Sequence, residues 1–352
     1  MNNINVSVII DSFYQNNQLF NENNTQVNRD DCFRPWIELK KSLEQDKIFL
    51  NTVDIMPIKD ADIILFMNMP TLNDVNFKEA LSLKKKIYCV VTELDLIHKP
   101  NSNINQMGLF DKIFTYQTNL IDNKKFFKIN YSFDFKKQIL EFDQSHMVSR
   151  SYFSTMIAGN KKLKHDNELY SKRVEIIKWF ESNHTNQFDL YGLGWNKRRI
   201  FNRYVLNYSN LGFIGKLLSD YYITYKGSVE KKSDVLKKYK FSFCLENAID
   251  TEGWITEKIF DSLFNGCIPI YLGASEIETF IDKSCFVNLR DFESFEELYD
   301  FLTNMDKETY NNYLSNIKKF IERKAEDNEY EFGIPYFIKT IKNQIIESNK
   351  IN

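Results

Sequence analysis

Between Phe241 and Phe260 the chain reads Phe-Ser-Phe-Cys-Leu-Glu-Asn-Ala-Ile-Asp-Thr-Glu-Gly-Trp-Ile-Thr-Glu-Lys-Ile-Phe, and here chemistry-bearing side chains are densest. An apolar run ending at Leu245 reads as a strand, with Glu246 and Asn247 at its carboxyl edge. A loop through Gly253 and Trp254 follows. A helix then opens near Thr256, with Glu257 and Lys258 in its first turn. Unpaired backbone N–H groups and the positive end of the helix dipole collect at such a point, and Lys258 adds a full charge. The combination suits a phosphate or pyrophosphate. Glu257 can accept hydrogen bonds from a ribose diol, as the acidic residue of a dinucleotide site does. The plainer alternative is that Glu257 complements the dipole and Lys258 is solvated.

A carboxylate that could take a proton stands elsewhere. Glu93 follows Lys86-Ile-Tyr-Cys-Val-Val-Thr92 and so emerges at the carboxyl end of a strand. Asp95 is its rival, His98 a third option, and a helix-capping role the plain reading. Three further patterns read as structural. Asp60-Ala-Asp62 is a D-x-D pair, but it precedes a strand instead of following one, which makes it a turn. Tyr191-Gly-Leu-Gly-Trp195 lacks the third glycine of a dinucleotide fingerprint and reads as a tight loop. Lys197-Arg-Arg199 with Arg203, interleaved with Trp195, Phe201 and Tyr204, reads as a solvated basic loop; contact with anionic lipid or an acceptor phosphate is the alternative.

Alternating strands and helices must hold these groups. Strands are expected at Val6–Ile10, Ile63–Met67, Ile87–Val91 and Ile113–Tyr116, with helices at Trp36–Leu43 and Phe77–Leu83. Apolar runs separated by helices imply parallel strands buried on both faces. A polar stretch, Lys136–Arg150, reads as a linker. A second series follows: strands Phe153–Ala158, Phe188–Tyr191, Phe241–Leu245, Cys267–Tyr271 and Cys285–Leu289, and helices Glu168–Glu181, Ser233–Tyr239 and Thr256–Asn265. Helices at Phe295–Thr303, Glu308–Lys324 and Pro335–Ile346 end the chain, the last presenting Phe337, Ile338, Ile341 and Ile345 on one face for packing. Two Rossmann-like α/β domains facing a central cleft, with a helical C-terminal tail, are the expected fold. The divisions expected are 1–148, 149–332 and a tail at 333–352 that packs back across the domains.

Composition narrows the function. The 352 residues are 43% hydrophobic and 27% charged, as in a globular protein, so disorder over most of the length is excluded. Lys and Arg number 46 against 48 Asp and Glu, too balanced for a nucleic-acid binder. The five cysteines are scattered without a C-x-x-C and there are four histidines, so a metal site is not expected and buried thiols in a reducing compartment are. No apolar run reaches the ~18 residues of a membrane span, and the start, Met1-Asn2-Asn3-Ile4, reads as lacking a secretory signal. Together these predict a cytoplasmic location, with the inner face of the membrane as an option.

Glu246-Asn247, Trp254-Ile-Thr-Glu-Lys258 and Gly266-Cys-Ile-Pro-Ile-Tyr-Leu-Gly273 resemble the donor-binding signature of the α-1,3/1,4-fucosyltransferases, glycosyltransferase family 10. Ser284–Phe292 resembles the block that follows it there. The resemblance is specific over Lys240–Phe292 and looser from Phe153. It implies the GT-B architecture, and a sugar nucleotide held mainly by the C-terminal domain. It implies that Asn247, Glu257 and Lys258 contact the ribose and diphosphate of GDP-fucose. Glu246 and Thr256 belong to the same motif, and Trp254 stands where the family more often has Tyr. Arg173 aligns with an arginine that binds the diphosphate, and Glu93 with a general base. The activity implied is inverting transfer of L-fucose from GDP-β-L-fucose to a hydroxyl of an N-acetylglucosamine-containing glycan, without metal or other cofactor. The acceptor would be an oligosaccharide or lipid-linked glycan of bacterial surface polysaccharide. On this reading Lys258→Ala and Arg173→Ala each lower turnover at least 10²–10³-fold without unfolding the protein. A different deoxy- or amino-sugar nucleotide is one alternative, and a non-catalytic two-domain sugar-binding protein is another.

Overall fold

The computed structural model describes residues 3–146, 149–196, 199–200, 203–204 and 222–350. In chain order the elements are β1 (Ile4–Ile9), α1 (Arg34–Gln45), β2 (Ile48–Thr52), β3 (Ile63–Met67), α2 (Val75–Ser82), β4 (Lys86–Val90), α3 (Ile104–Met107), β5 (Lys112–Thr115), β6 (Phe126–Lys128) and α4 (Phe135–His146). There follow β7 (Tyr152–Ile157), α5 (Tyr170–Asn183), β8 (Phe188–Tyr191), β9 (Arg199–Ile200), β10 (Arg203–Tyr204), β11 (Tyr225–Gly227), α6 (Ser233–Leu236) and β12 (Tyr239–Leu245). The rest is α7 (Glu257–Phe264), β13 (Ile268–Leu272), β14 (Val287–Asn288), α8 (Phe295–Thr303), α9 (Lys307–Ala325) and α10 (Ile334–Lys350).

The chain forms two compact units. The first comprises Met1–Phe135, Glu252–Trp254 and Lys324–Asn352, the second Lys136–Thr251 and Ile255–Arg323. The first unit holds a six-stranded sheet in the order β2-β1-β3-β4-β5-β6, every pair parallel. Its strands are apolar runs because helices cover both faces. Val6, Leu50, Ile63 and Leu65 pack with Trp36 and Leu39 of α1 and with Phe337, Ile341 and Ile345 of α10. The last helix therefore completes the core of the first unit, with Trp36 and Phe337 meeting edge to face at 5.3 Å.

The second unit repeats the plan with the order β11-β8-β7-β12-β13-β14, again all parallel. Strand β12 is central and buried along its length apart from Lys240. Helix α7 lies against it, tied by the Cys244 thiol near the Lys258 carbonyl and the Ser262 hydroxyl, both at 3.2 Å. Cys89, Cys244, Cys267 and Cys285 are buried free thiols, and Cys32 is exposed.

Two local expectations change. Lys136–Arg150 is not a loose linker, since Phe135–His146 is helical. Phe135 and Phe142, seven residues apart and therefore on one face, are 4% and 1% exposed. Strand β2 was not expected, because Ile48 follows α1 after only two residues, Asp46 and Lys47. Among the described residues no helix is long and apolar enough to cross a membrane. The basic stretch Lys197–Arg199 with Phe201 and Arg203 lies largely outside the described residues.

Candidate functional site

In the second sheet the strand order reverses between β7 and β12. Open α/β sheets take ligands outside the carboxyl ends of their strands at such a reversal. Strand β7 runs out into Ala158, Gly159 and Asn160, and β12 into Glu246 and Asn247. A Cβ built on Gly159 would meet nothing within 4 Å, so the space above it is open.

Glu246 is wholly buried. Its Oε1 accepts the backbone N–H of Thr256 at 2.8 Å. Its Oε2 accepts the Thr256 hydroxyl at 2.8 Å and the Lys258 ammonium at 3.1 Å. Lys258 Nζ also donates to Thr256 Oγ1 at 2.9 Å. Glu246 thus holds the start of α7 and its lysine together. A buried carboxylate persists only when paired and hydrogen-bonded, and this one is both. Gly273 makes room for it: a Cβ there would stand 2.5 Å from Glu246 Cγ and 2.5 Å from the Tyr271 hydroxyl.

Thr256 is the N-cap of α7 but makes no side-chain cap hydrogen bond, because its hydroxyl is spent on Glu246 and Lys258. Thr256 therefore leaves the first-turn N–H groups to other acceptors, and the Glu257 carboxylate takes the N–H of its own residue. Burial pulls the Lys258 pKa down, but Glu246 and Glu257 outweigh it and hold it above the ordinary value. Burial would raise Glu257, yet Lys258 and Lys232 drive it well below the usual carboxylate range. Lys232 reaches Glu257 Oε1 at 3.4 Å and Asp261 Oδ2 at 2.7 Å. Both ends of the pair at the head of α7 are therefore charged at neutral pH.

Arg173 sits in the first turn of α5 and is 3% exposed. Its Nη2 donates to the carbonyls of Leu245 and Glu246, both at 2.8 Å, and to Asn247 Oδ1 at 3.1 Å. The arginine clamps the end of β12 and aims Asn247. Burial lowers its pKa, and Tyr170, Glu246 and Glu257 oppose that. Leu169 N–H donates to the Asn247 carbonyl at 3.1 Å, pinning the start of α5 to the same loop. Farther along that loop Arg290 Nη2 binds Asp250 Oδ1 at 2.5 Å and the Gly273 carbonyl at 2.7 Å. The structure thus brings Arg173, Glu246, Asn247, Thr256, Glu257 and Lys258 together.

Trp254 belongs to the first unit and packs there. It is 2% exposed, with ring centroids 4.6 Å from Tyr116 and 5.9 Å from Tyr131. Gly253 beside it has φ +76°, and a Cβ there would lie 2.0 Å from the Tyr116 carbonyl oxygen. The glycine lets the tripeptide enter this packing.

Glu93 follows β4 in the first unit and is partly exposed. Asn68, at φ +68° after β3, accepts the N–H groups of Thr92 at 2.8 Å and Glu93 at 3.0 Å through Oδ1. Asn101 Nδ2 donates to that same Oδ1 at 2.9 Å and to the Glu93 carbonyl at 2.7 Å. His98 Nε2 lies 2.7 Å from the Met69 carbonyl, so it carries a proton there. Asp95 is exposed and accepts the Leu96 N–H at 2.8 Å. Sequence reading missed both asparagines; the signal was an Asn directly after a strand, a type that tolerates the left-handed region. Asp62 of the D-x-D pair accepts the Asn5 N–H at 2.8 Å and serves the entry to β3. The Tyr191–Trp195 loop is tight: a Cβ on Gly192 would fall 1.9 Å from the Ala158 carbonyl oxygen, to which Trp195 donates at 2.6 Å.

Residues 164–344, just over half of the chain, match the family described as glycosyltransferase family 10 (fucosyltransferase), C-terminal. A 75-residue stretch is 39% identical to the alpha-(1,3)-fucosyltransferase FucT of Helicobacter pylori, covering 21% of this chain and 16% of that protein. An 80-residue stretch is 32% identical to an alpha-(1,4)-fucosyltransferase of Arabidopsis thaliana, covering 22% of this chain and 20% of that one. The chain thus spans only about a fifth of the length of these relatives. The fold extends further. A crystal structure of an alpha1,3-fucosyltransferase with GDP-fucose superposes with a TM-score of 0.52 at 17% identity, over 92% of this chain and 91% of that one. An alpha-glucosyltransferase in complex with UDP and DNA superposes at 0.57 and 10% identity, over 98% and 100%. The fold is that of the GT-B glycosyltransferases, and by its C-terminal half the chain belongs to glycosyltransferase family 10, the fucosyltransferases.

Proposed function

We propose that this protein transfers L-fucose from GDP-β-L-fucose to a hydroxyl of an N-acetylglucosamine-containing glycan, in α-1,3 or α-1,4 linkage, during synthesis of a bacterial surface polysaccharide. The observation that carries this reading is the head of α7. A helix N-terminus whose N-cap hydroxyl is engaged elsewhere and a lysine of raised pKa stand together at the reversal of the second sheet. Lys258 spends two of its three N–H bonds on Glu246 and Thr256, and its side chain remains 21% exposed. The third can meet a diphosphate oxygen. Among the described residues Arg173 donates through Nη2, which leaves Nε and Nη1 for the same anion. Glu257, held ionised, accepts the ribose hydroxyls.

As the bond from the anomeric carbon to the diphosphate breaks, negative charge grows on the leaving oxygen. Lys258, Arg173 and the α7 N–H groups are already oriented toward that charge, which is how preorganised donors lower a barrier. Glu93 takes the proton of the attacking acceptor hydroxyl. One displacement with one base inverts the β-linked donor to an α-fucoside. Because the chain itself supplies the positive groups, turnover is expected to survive EDTA. The test is a screen of nucleotide sugars by mass spectrometry with an N-acetyllactosamine acceptor, paired with calorimetric titration of GDP. Fucosyl transfer and saturable GDP binding are expected. Transfer from another sugar nucleotide alone would replace the donor, and absence of GDP binding would overturn the reading.

A further inference from the structure

The first sheet has a reversal of its own, between β1 and β3 in the order β2-β1-β3-β4. Residues 11–13 flank it after β1, and Asn68 after β3. Glu93 follows β4, the next strand outward. By the rule that places ligands at such reversals, a ligand of the first sheet lies between the β1 loop and Asn68. The functional reading above assigns nothing to the β1 loop.

The loop presents an aromatic face and a carboxylate. Phe13 is 56% exposed, and among the described residues its aromatic partner is Tyr14, edge-on at 5.1 Å and 86°. Asp11 is also exposed. Its Oδ1 accepts the Phe13 N–H at 3.0 Å, while Oδ2 has no hydrogen-bond partner among the described residues. The two groups are held firmly. Tyr14 packs on Phe33 at 5.2 Å. Asn16 N–H donates to Asp54 Oδ2 at 2.9 Å. Asn17 exchanges hydrogen bonds with Thr52 and donates to Asn51 Oδ1 at 2.9 Å. Asn16 and Asn17 both have positive φ, 54° and 57°, a turn that short polar side chains tolerate. The loop is thus tied to its neighbours by backbone hydrogen bonds while its large apolar ring stands in water at the carboxyl end of the sheet.

We infer that Phe13 and Asp11 form a subsite for a pyranose ring of the acceptor glycan, a role that rests on the transferase reading above. A neutral sugar offers an apolar C–H face and a rim of hydroxyls. An exposed aromatic face covers the first, and a carboxylate oxygen accepts from the second. Strands lie about 4.8 Å apart, so the ends of β1 and β4, with β3 between them, are ~10 Å apart. That span fits a ring next to the one whose hydroxyl Glu93 deprotonates. The subsite therefore grips the neighbouring sugar and sets which disaccharide is accepted.

The test compares initial rates of the wild type, Phe13→Ala, Phe13→Trp and Asp11→Asn on N-acetyllactosamine and on N-acetylglucosamine alone, at saturating GDP-fucose. Phe13→Ala is expected to raise the KM for the disaccharide about tenfold, with kcat and GDP affinity within about twofold. Phe13→Trp restores the wild-type KM. Asp11→Asn raises it a few-fold. The KM for the monosaccharide stays unchanged in all variants. Equal disaccharide KM values in the wild type, Phe13→Ala and Asp11→Asn would overturn the subsite while leaving the transferase reading intact. No transfer by the wild type, with GDP bound or not, would overturn both.

Discussion

Lys258 and Arg173 differ in what their removal does. On the proposed mechanism Lys258→Ala removes a charge that faces the departing diphosphate, and turnover should fall by about 10²–10³-fold. It also strands Glu246, which is fully buried, at a stability cost of about 3–5 kcal/mol. Arg173→Ala leaves the carbonyls of Leu245 and Glu246 and the Asn247 side chain without their donor, at about 1–3 kcal/mol each if unsatisfied. Neither variant is expected to unfold, but each should carry a stability cost. Both should lose turnover, and melting curves should show lower Tm values, lowest for Arg173→Ala. Equal Tm values for Arg173→Ala and the wild type would contradict the clamp at the end of β12. Acid supplies a second check. Glu257 is held below its ordinary value by Lys258 and Lys232, so its contribution is complete above about pH 4.3 and fades as pH falls toward the folded-state pKa. The Tm of the wild type should drop between about pH 5 and pH 2 more steeply than that of Glu257→Gln.

Helix α10 is a structural part of the first unit. Ile341 is fully buried between the sheet and α1, and Ile341→Ala should cost about 2–5 kcal/mol by chemical denaturation. A loss under 1 kcal/mol would mean that the helix only lies on the surface. Elements of this kind were legible in the sequence because their apolar residues repeat with one period. Phe188–Tyr191 and Phe295–Thr303 coincide with the expected spans, and Ile63–Met67 likewise. Strand β2 and helix α4 were hidden, the first by lack of a turn signal after α1, the second by Lys and Gln between its phenylalanines. The motif that names the family also pointed to Glu246, Thr256 and Lys258. It did not reveal that Arg173 grips backbone, since hydrogen-bond partners 72–74 residues away leave no mark on local pattern, nor that Glu246 turns inward to Thr256 and Lys258 across the intervening loop. The same holds for the Asn68–Asn101 clamp beneath Glu93, whose members are 33 residues apart.

At the scale of the molecule, each unit has its own six-stranded sheet, and Lys258, Arg173 and Glu257, the groups proposed to hold the nucleotide, lie in the second. Thermal unfolding is accordingly not expected to be a single two-state event. GDP at 100 times its Kd should stabilise the unit it binds by about 2.7 kcal/mol. Scanning calorimetry should show one transition that moves upward with GDP and one that moves far less. A single transition shifted as a whole would mean that the units unfold together.

The return of α10 to the first unit bears on how the protein is made. β1–β6 leave the ribosome early, yet the helix that covers them arrives about 200 residues later. At 5–20 residues per second, that is a wait of roughly 10–40 s. During the wait a sheet face rich in Val, Ile and Leu lacks its last partner, while every segment of the second unit has already emerged. The nascent chain therefore inverts the usual vectorial order. The part synthesised first matures last, and the interval is a window for chaperone capture.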